Sequence, residues 1–238
     1  MAFTYSPKIV TDGLVLYLDA ANRDSYISGS TVWNDLSRTG GSGSLTNGPT
    51  FNTGSGGSIF FDGVDDTVIG TISGSIFTNN FTQTAWIYKL NANTIWQGIF
   101  TNSYPATNNT YLMTFGNGSV AAPYNSVGAN QVGVVESGIF LDIGSHLNRW
   151  LYLAISKSGS LLTISCYKDG SLLQNSGSIT WNGGNFSSTN NYMIGRHWSG
   201  SAVVPFNGYI SQVSVYNKFL TSQEIFQNYN TTKGRFGL

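Results

Sequence analysis

The chain has 238 residues, a length that a single all-β sandwich often reaches. Charged residues make up 9% of it and aromatics 14%, which excludes a disordered chain, because disorder goes with few aromatics and β-branched residues. Its 11 Lys and Arg balance 11 Asp and Glu, so no basic stripe is there to neutralise a phosphate backbone, and nucleic acid is excluded as an expected partner.

From the N-terminus, Met1 to Lys8 has neither the basic nor the apolar region of a secretory leader, and no signal peptide is expected. Apolar runs then recur at short intervals, each closed by Gly, Asn, Asp or Pro. In the first half, Leu14 to Leu18, Ser58 to Phe61, Phe81 to Leu90 and Ile95 to Thr101 read as strands. Asp12-Gly13 and Asp62-Gly63 mark turns between them. The Gly-, Ser- and Asn-rich stretches Arg38 to Gly57 and Tyr104 to Asn109 are predicted to be surface connections. Leu90 to Val135 contains no charged residue, yet polar residues break every apolar run well short of the ~18 needed to span a membrane, so no membrane partner is expected.

In the second half, Thr110 to Phe115, Trp150 to Ser156, Leu161 to Lys168, Tyr192 to Ile194 and Gly208 to Tyr216 read as strands. Within Leu161 to Lys168, Leu162, Ile164 and Cys166 face one way while Thr163, Ser165 and Tyr167 face the other, as in a sheet with one buried face. Cys166 is the only cysteine, which forbids an intramolecular disulfide and predicts a buried free thiol. Lys168-Asp169-Gly170-Ser171 predicts a tight hairpin, since a type I′ turn requires positive φ at both central residues. Thr221-Ser222-Gln223-Glu224 is a capping box, Ile225, Phe226 and Tyr229 supply an apolar stripe, and Gly234 stops it: one short C-terminal helix. Nothing between the ends reads as a linker, so residues 1–238 are expected to form a single all-β domain.

Three stretches near the start, Gly13 to Ala20, Trp33-Asn34-Asp35-Leu36-Ser37 and Phe60 to Asp66, resemble the opening of concanavalin A-like (laminin G-like) modules. Phe81 to Ile87 and Tyr167 to Gly170 are similar to their middle strands, and Phe206 to Thr221 with Glu224-Ile225 to their closing strand and helix. The resemblance implies a two-sheet antiparallel jelly-roll sandwich. The Leu18 to Asn22 opening and the Lys233 to Leu238 tail further resemble versions carried by structural proteins of tailed bacteriophages. That implies a virion-surface protein, assembled in the host cytoplasm, that contacts glycans or other virion proteins. Homo-oligomeric assembly is expected for such a position, and a trimer would fit. The first ten residues and the Arg235 to Leu238 tail are expected to lie close together, because the first and last strands of this fold are neighbours.

This fold hosts both lectins and glycosidases, so the chemistry must be read from residues. Hydrolysis of a glycosidic bond needs two carboxylates about 5–9.5 Å apart. The chain has two glutamates: Glu224 belongs to the capping box, and Glu136 has no acidic neighbour two residues away on either side. There is no Gly-x-Ser-x-Gly elbow, and His146 and His197 stand alone, each expected in a surface or loop role. The chain is therefore read as non-enzymatic, with a free-standing lectin as the alternative to a virion protein and a glycoside hydrolase as the remaining one. Asp62, Asp65 and Asp66 form the tightest acidic cluster; it is read as a solvated turn, with calcium as the alternative and no other cofactor expected.

Aromatic side chains beside amides are suitable material for sugars, which lay their C–H faces on rings and hydrogen-bond through hydroxyls. Trp33, Trp86 and Trp150 sit inside strand motifs and are expected in the core. Arg196-His197-Trp198-Ser199-Gly200 is predicted to form a loop after a strand ending at Gly195, and Trp96, Tyr104, Tyr111 and Tyr124 lie in or beside the charge-free stretch. The candidate ligand-binding residues are thus Trp96, Tyr104, Tyr124, Arg196, His197 and Trp198.

Overall fold

The computed structural model describes residues 8–73, 76–77, 79–90, 96–102, 110–116, 126–132, 137–178, 191–199 and 202–238. In chain order the strands are β1 (Leu14–Asp19), β2 (Val32–Trp33), β3 (Gly43–Thr46), β4 (Thr50–Asn52), β5 (Ser58–Asp62) and β6 (Thr67–Thr71). Then follow β7 (Asn80–Lys89), β8 (Gln97–Thr101), β9 (Thr110–Phe115), β10 (Ser126–Val132), β11 (Ser137–Asp142) and β12 (Trp150–Ser158). The last are β13 (Leu161–Lys168), β14 (Ser171–Ser178), β15 (Asn191–Ile194), β16 (Arg196–Ser199), β17 (Ala202–Pro205) and β18 (Asn207–Tyr216), before helix α1 (Ser222–Thr232).

Two antiparallel sheets face each other. The first runs β14-β13-β12-β7-β18-β5-β4, with β1 also paired to β18; the second runs β11-β10-β9-β8-β15-β6-β3-β2. The ten-residue β18 serves two partners on one side: residues 207–210 pair with β5, and 212–216 with β1. An irregularity between Ile210 and Gln212 separates the two registers, and there the Ser211 carbonyl accepts from Ala20 N–H. At the far edge Asn175 Nδ2 donates to the Phe140 carbonyl at 2.8 Å, drawing β14 of one sheet onto β11 of the other.

Alternation along the strands builds two apolar layers. On β12, Leu151, Leu153 and Ile155 point between the sheets, while Tyr152 and Ala154 join a second cluster outside them. Leu162, Ile164 and Cys166 of β13 point inward as expected, and burial pushes the Cys166 thiol up to about 12, consistent with an inert packing residue. The opposite face of β13 corrects the reading of a solvated surface. Tyr167 is buried there with Trp86, Tyr216 and Tyr229, because α1 lies over the first sheet and covers it. Val10 belongs to this cluster and Leu238 packs against it, and Val10 N–H donates to Asn228 Oδ1 at 2.8 Å, so residues 8–10 meet α1 and share a cluster with the C-terminal tail, while residues 1–7 lie outside the described residues.

Local chemistry explains the ends of the elements. Thr221 Oγ1 accepts from Glu224 N–H while Glu224 Oε2 accepts from Thr221 N–H, completing the capping box. Asp169 and Gly170 have φ of 52° and 79°, the pair of left-handed residues that the β13–β14 hairpin requires. The stretch from Arg38 to Gly57 departs from expectation, because it holds β3 and β4. Its Gly and Ser content suppresses a strand signal, and β4, an edge strand, needs a partner on one side only.

Gly195 turns the chain between β15 and β16 at φ 83°, and a Cβ there would lie 2.2 Å from Phe61 Cδ1. Gly195→Ala is therefore expected to cost about 3 kcal/mol, from overpacking together with an unfavourable left-handed alanine, measured by thermal or urea unfolding.

Candidate functional site

Four aromatic side chains from four strands form a row across the outer face of the first sheet. Cross-strand register sets it directly: Phe60 of β5 is opposite Tyr209 of β18, Tyr209 opposite Tyr88 of β7, and Tyr88 opposite Trp150 of β12. Adjacent ring centroids are 5.1, 5.8 and 5.4 Å apart, and all four rings are half-buried. Their sequence neighbours Ile59, Ile210, Ile87 and Leu151 point into the core, as period-two alternation demands. At one end the row abuts Phe236, whose ring lies 4.6 Å from Trp150 and 4.1 Å from Trp86 beneath α1.

Beside this row opens a cleft of about 240 Å³. Tyr88, Tyr209, Trp150 and Leu90 supply its apolar lining, and Asn52, Ser55 and Ser58 its polar one. Ser55 is held in the left-handed region at φ 53°, and its Oγ accepts the Trp150 indole N–H at 2.9 Å. Asn52 Oδ1 accepts from Gly54 N–H at 2.7 Å, which fixes its amide. The result is an aromatic wall of rings inclined to one another by 43–74°, bordered by neutral hydrogen-bonding groups and suited to ligands with apolar faces and hydroxyl edges. Trp150, expected in the core, is half-buried and lines this cleft; strand alternation places it on the outer face. Trp33 and Trp86 are fully buried, as expected.

The residues proposed from sequence are not gathered at this cleft. Trp96 is half-buried, edge-on to Phe140 at 5.7 Å and packed so closely on Gly116 that a Cβ there would come within 2.4 Å of its ring. Tyr104 and Tyr124 lie outside the described residues. Arg196 to Ser199 form strand β16, paired antiparallel with β17, and not the predicted loop. The reason is the turn at Gly195 and the apolar Ala202-Val203-Val204-Pro205, which gives the segment a partner; Pro205, lacking an N–H, pairs at the hairpin's open end. Arg196 is half-buried and does not line the cleft; of His197 and Trp198 only the backbone is described. The cross-strand row could have been found from sequence only through the strand register, which no local pattern encodes.

The carboxylate oxygens of Asp62, Asp65 and Asp66 lie within 4.8 Å of one another. Asp66 Oδ2 accepts from Asp62 N–H at 2.9 Å and Asp62 Oδ1 from Val64 N–H at 2.8 Å, so two of the three acids close the turn. Burial, then the neighbouring Asp62 and Asp65 charges, raises the Asp66 carboxyl above its usual range.

Between the sheets, Lys89 Nζ sits 4.6 Å over the Phe115 ring with no hydrogen-bond partner among the described residues. Desolvation brings its ammonium down to about 8. His146, expected in a surface or loop role, lies in the connection before β12 but is buried. It stacks on Phe115 at 5.0 Å with Nδ1 2.9 Å from the Gly144 carbonyl. Burial, reinforced by the Lys89 charge, keeps it neutral below its ordinary range.

A laminin G-type family model, described as the concanavalin A-like lectin/glucanases superfamily, matches residues 61–226, more than half of the chain. No curated protein matches by sequence. Among solved structures, the chain is similar to the botulinum neurotoxin serotype D binding domain at 13% identity and a TM-score of 0.68. That match covers 93% of this chain and 52% of the toxin domain, so the chain spans about half the length of those toxin structures. It is similar to Trypanosoma rangeli sialidase in complex with sialic acid at 15% identity and a TM-score of 0.66, covering 93% of this chain and 33% of the enzyme. It is also similar to Domain 4 of AbnA, an extracellular arabinanase from Geobacillus stearothermophilus, in complex with arabinotriose. There the identity is 13%, the TM-score 0.67, and the coverage 92% of this chain and 98% of that domain.

Proposed function

The chain belongs to the concanavalin A-like lectin/glucanases superfamily, and from that premise we propose that it acts by contact and catalyses nothing, as a structural protein of a bacteriophage particle displaying a glycan-binding face. The observation that carries the contact reading is the half-buried row Phe60, Tyr209, Tyr88 and Trp150 beside a cleft edged by neutral amide and hydroxyl groups. A similar solved domain in complex with arabinotriose supports a carbohydrate ligand. Against catalysis, no carboxylate lines the cleft among the described residues. Glu224 is committed to Thr221 and to Lys218 at 2.9 Å, and Glu136 lies outside the described residues.

The virion assignment rests on the resemblance of Leu18 to Asn22 and of the C-terminal tail, and it brings homo-oligomeric assembly and virion-protein partners with it. No described helix is long and apolar enough to cross a membrane. Purified protein is expected to bind a subset of a glycan array, and mass spectrometry of intact particles to find the chain at a fixed copy number. Absence from particles with retained glycan binding would favour a free-standing lectin. Hydrolysis of any bound glycan would overturn the non-enzymatic reading.

No resident metal is part of this proposal. Millimolar calcium is expected to leave the melting temperature unchanged in differential scanning calorimetry, since two of the three acids are occupied by backbone N–H groups; a rise would assign an ion to Asp62, Asp65 and Asp66.

A further inference from the structure

Resting on that contact reading, we infer that the cleft selects uncharged sugars, holding the C–H groups of a neutral pyranose or furanose against the aromatic wall of Trp150, Tyr88 and Tyr209 and refusing sugars that carry a carboxylate. Among the described residues no Arg, Lys or His lines it. Arg235 lies against Gly56, 3.5 Å from where a Cβ would sit, but its guanidinium is committed to Asp19 at 2.7 Å. Lys89, next in sequence to Tyr88, points into the interior and stands over Phe115.

The rim groups present donors of the wrong strength for an anion. Asn52 Oδ1 already accepts from Gly54, which leaves its amide N–H groups as what this side chain can offer a ligand. Ser55 Oγ already accepts from Trp150, so the hydroxyl offers its proton. Two neutral donors satisfy a hydroxyl or ring oxygen fully. They compensate only part of what a carboxylate loses when it is desolvated against aromatic rings. Ser55 acts here as a positioning residue: its left-handed backbone, flanked by Gly54, Gly56 and Gly57, brings its Oγ to the indole and fixes the plane of Trp150.

The test titrates neutral gluco-, galacto-, xylo- and arabino-oligosaccharides, and glucuronate and galacturonate oligomers of equal length, into 15N-labelled protein. The readout is the Trp150 indole N–H resonance, identified by its loss in Trp150→Phe. At least one neutral oligomer is expected to move it with an affinity at least about tenfold above that of its acidic counterpart. Acidic oligomers that move it equally well would overturn the selectivity and leave the cleft as a glycan site. Binding that leaves this resonance in place would overturn the location, and binding of neither class would overturn the contact reading itself. Asn52→Arg, at an exposed position, places a cation on the rim and is expected to raise uronate affinity about tenfold; no gain would overturn the charge argument.

Discussion

Trp86→Ala is expected to destabilise the protein by about 4 kcal/mol and to lower its melting temperature by about 10 °C. Trp86 is fully buried on the outer face of the first sheet, where it is the hub on which the C-terminal segment docks. Its ring lies 4.1 Å from Phe236, 5.2 Å from Tyr152 and 5.7 Å from Tyr229, and its indole N–H donates to Thr232 Oγ1 at 2.7 Å. Alanine removes the ring, leaves a cavity beneath α1 and takes away the bond that the Thr232 hydroxyl accepts, leaving that hydroxyl only its own donation to the Asn228 carbonyl at 2.9 Å. The loss should therefore be local first. Amide exchange in α1 is expected to rise well before exchange in β7 and β12. Trp86→Phe keeps most of the ring and is expected to cost about 2 kcal/mol, the indole hydrogen bond and part of the packing. Equal losses for the two variants, or uniform exchange throughout, would refute α1 as a unit held by Trp86.

Lys89→Met is expected to stabilise the protein by about 2 kcal/mol at neutral pH, a gain where most core substitutions lose. The Lys89 ammonium is buried with no hydrogen-bond partner among the described residues, and burial takes it from an ordinary 10.5 to about 8. Keeping it charged at neutral pH costs about 3 kcal/mol by linkage, offset in part by the Phe115 ring beneath it. Methionine has a similar reach and no charge to desolvate.

The sign of the pH dependence follows. Because the folded-state value lies below the unfolded one, the unfolded chain binds more protons between about 8 and 10.5, so stability rises with pH across that window. Above about 10 the trend reverses, since Tyr192 and Tyr216 are held neutral by burial while their unfolded counterparts ionise. On the acid side, His146 is kept neutral in the fold and stability falls below about 6.5. Urea unfolding of both proteins as a function of pH checks this: the rise above pH 8 should be present in the wild type and missing in Lys89→Met, while the acid limb should persist in the variant but be shallower, because the Lys89 charge helps to keep His146 neutral.

Local chemistry alone determined a good part of this protein. The capping box at Thr221 and Glu224, the Asp169-Gly170 hairpin, the alternation of β13 and the buried thiol of Cys166 each depend on groups a few residues apart, and each is present in the structure. The resemblance of Gly13 to Ala20 and of Phe206 to Thr221 to concanavalin A-like modules pointed to two sheets, and two antiparallel sheets are found.

Tertiary structure alone decided which face of a strand meets what. Alternation says that Trp150 and Leu151 point opposite ways, but not that Trp150 lies outside, nor that Trp86 on the same face would be roofed by a helix more than a hundred residues away. The Gly- and Ser-rich β3 and β4 become strands because sheet partners complete their hydrogen bonds, a stabilisation their own side chains do not announce. Phe60, Tyr88, Trp150 and Tyr209 come from separate strands and become neighbours only when the ladder register sets them opposite one another. A binding surface assembled across hydrogen-bonded strands is a property of register, and register is settled by the packing of the whole sandwich.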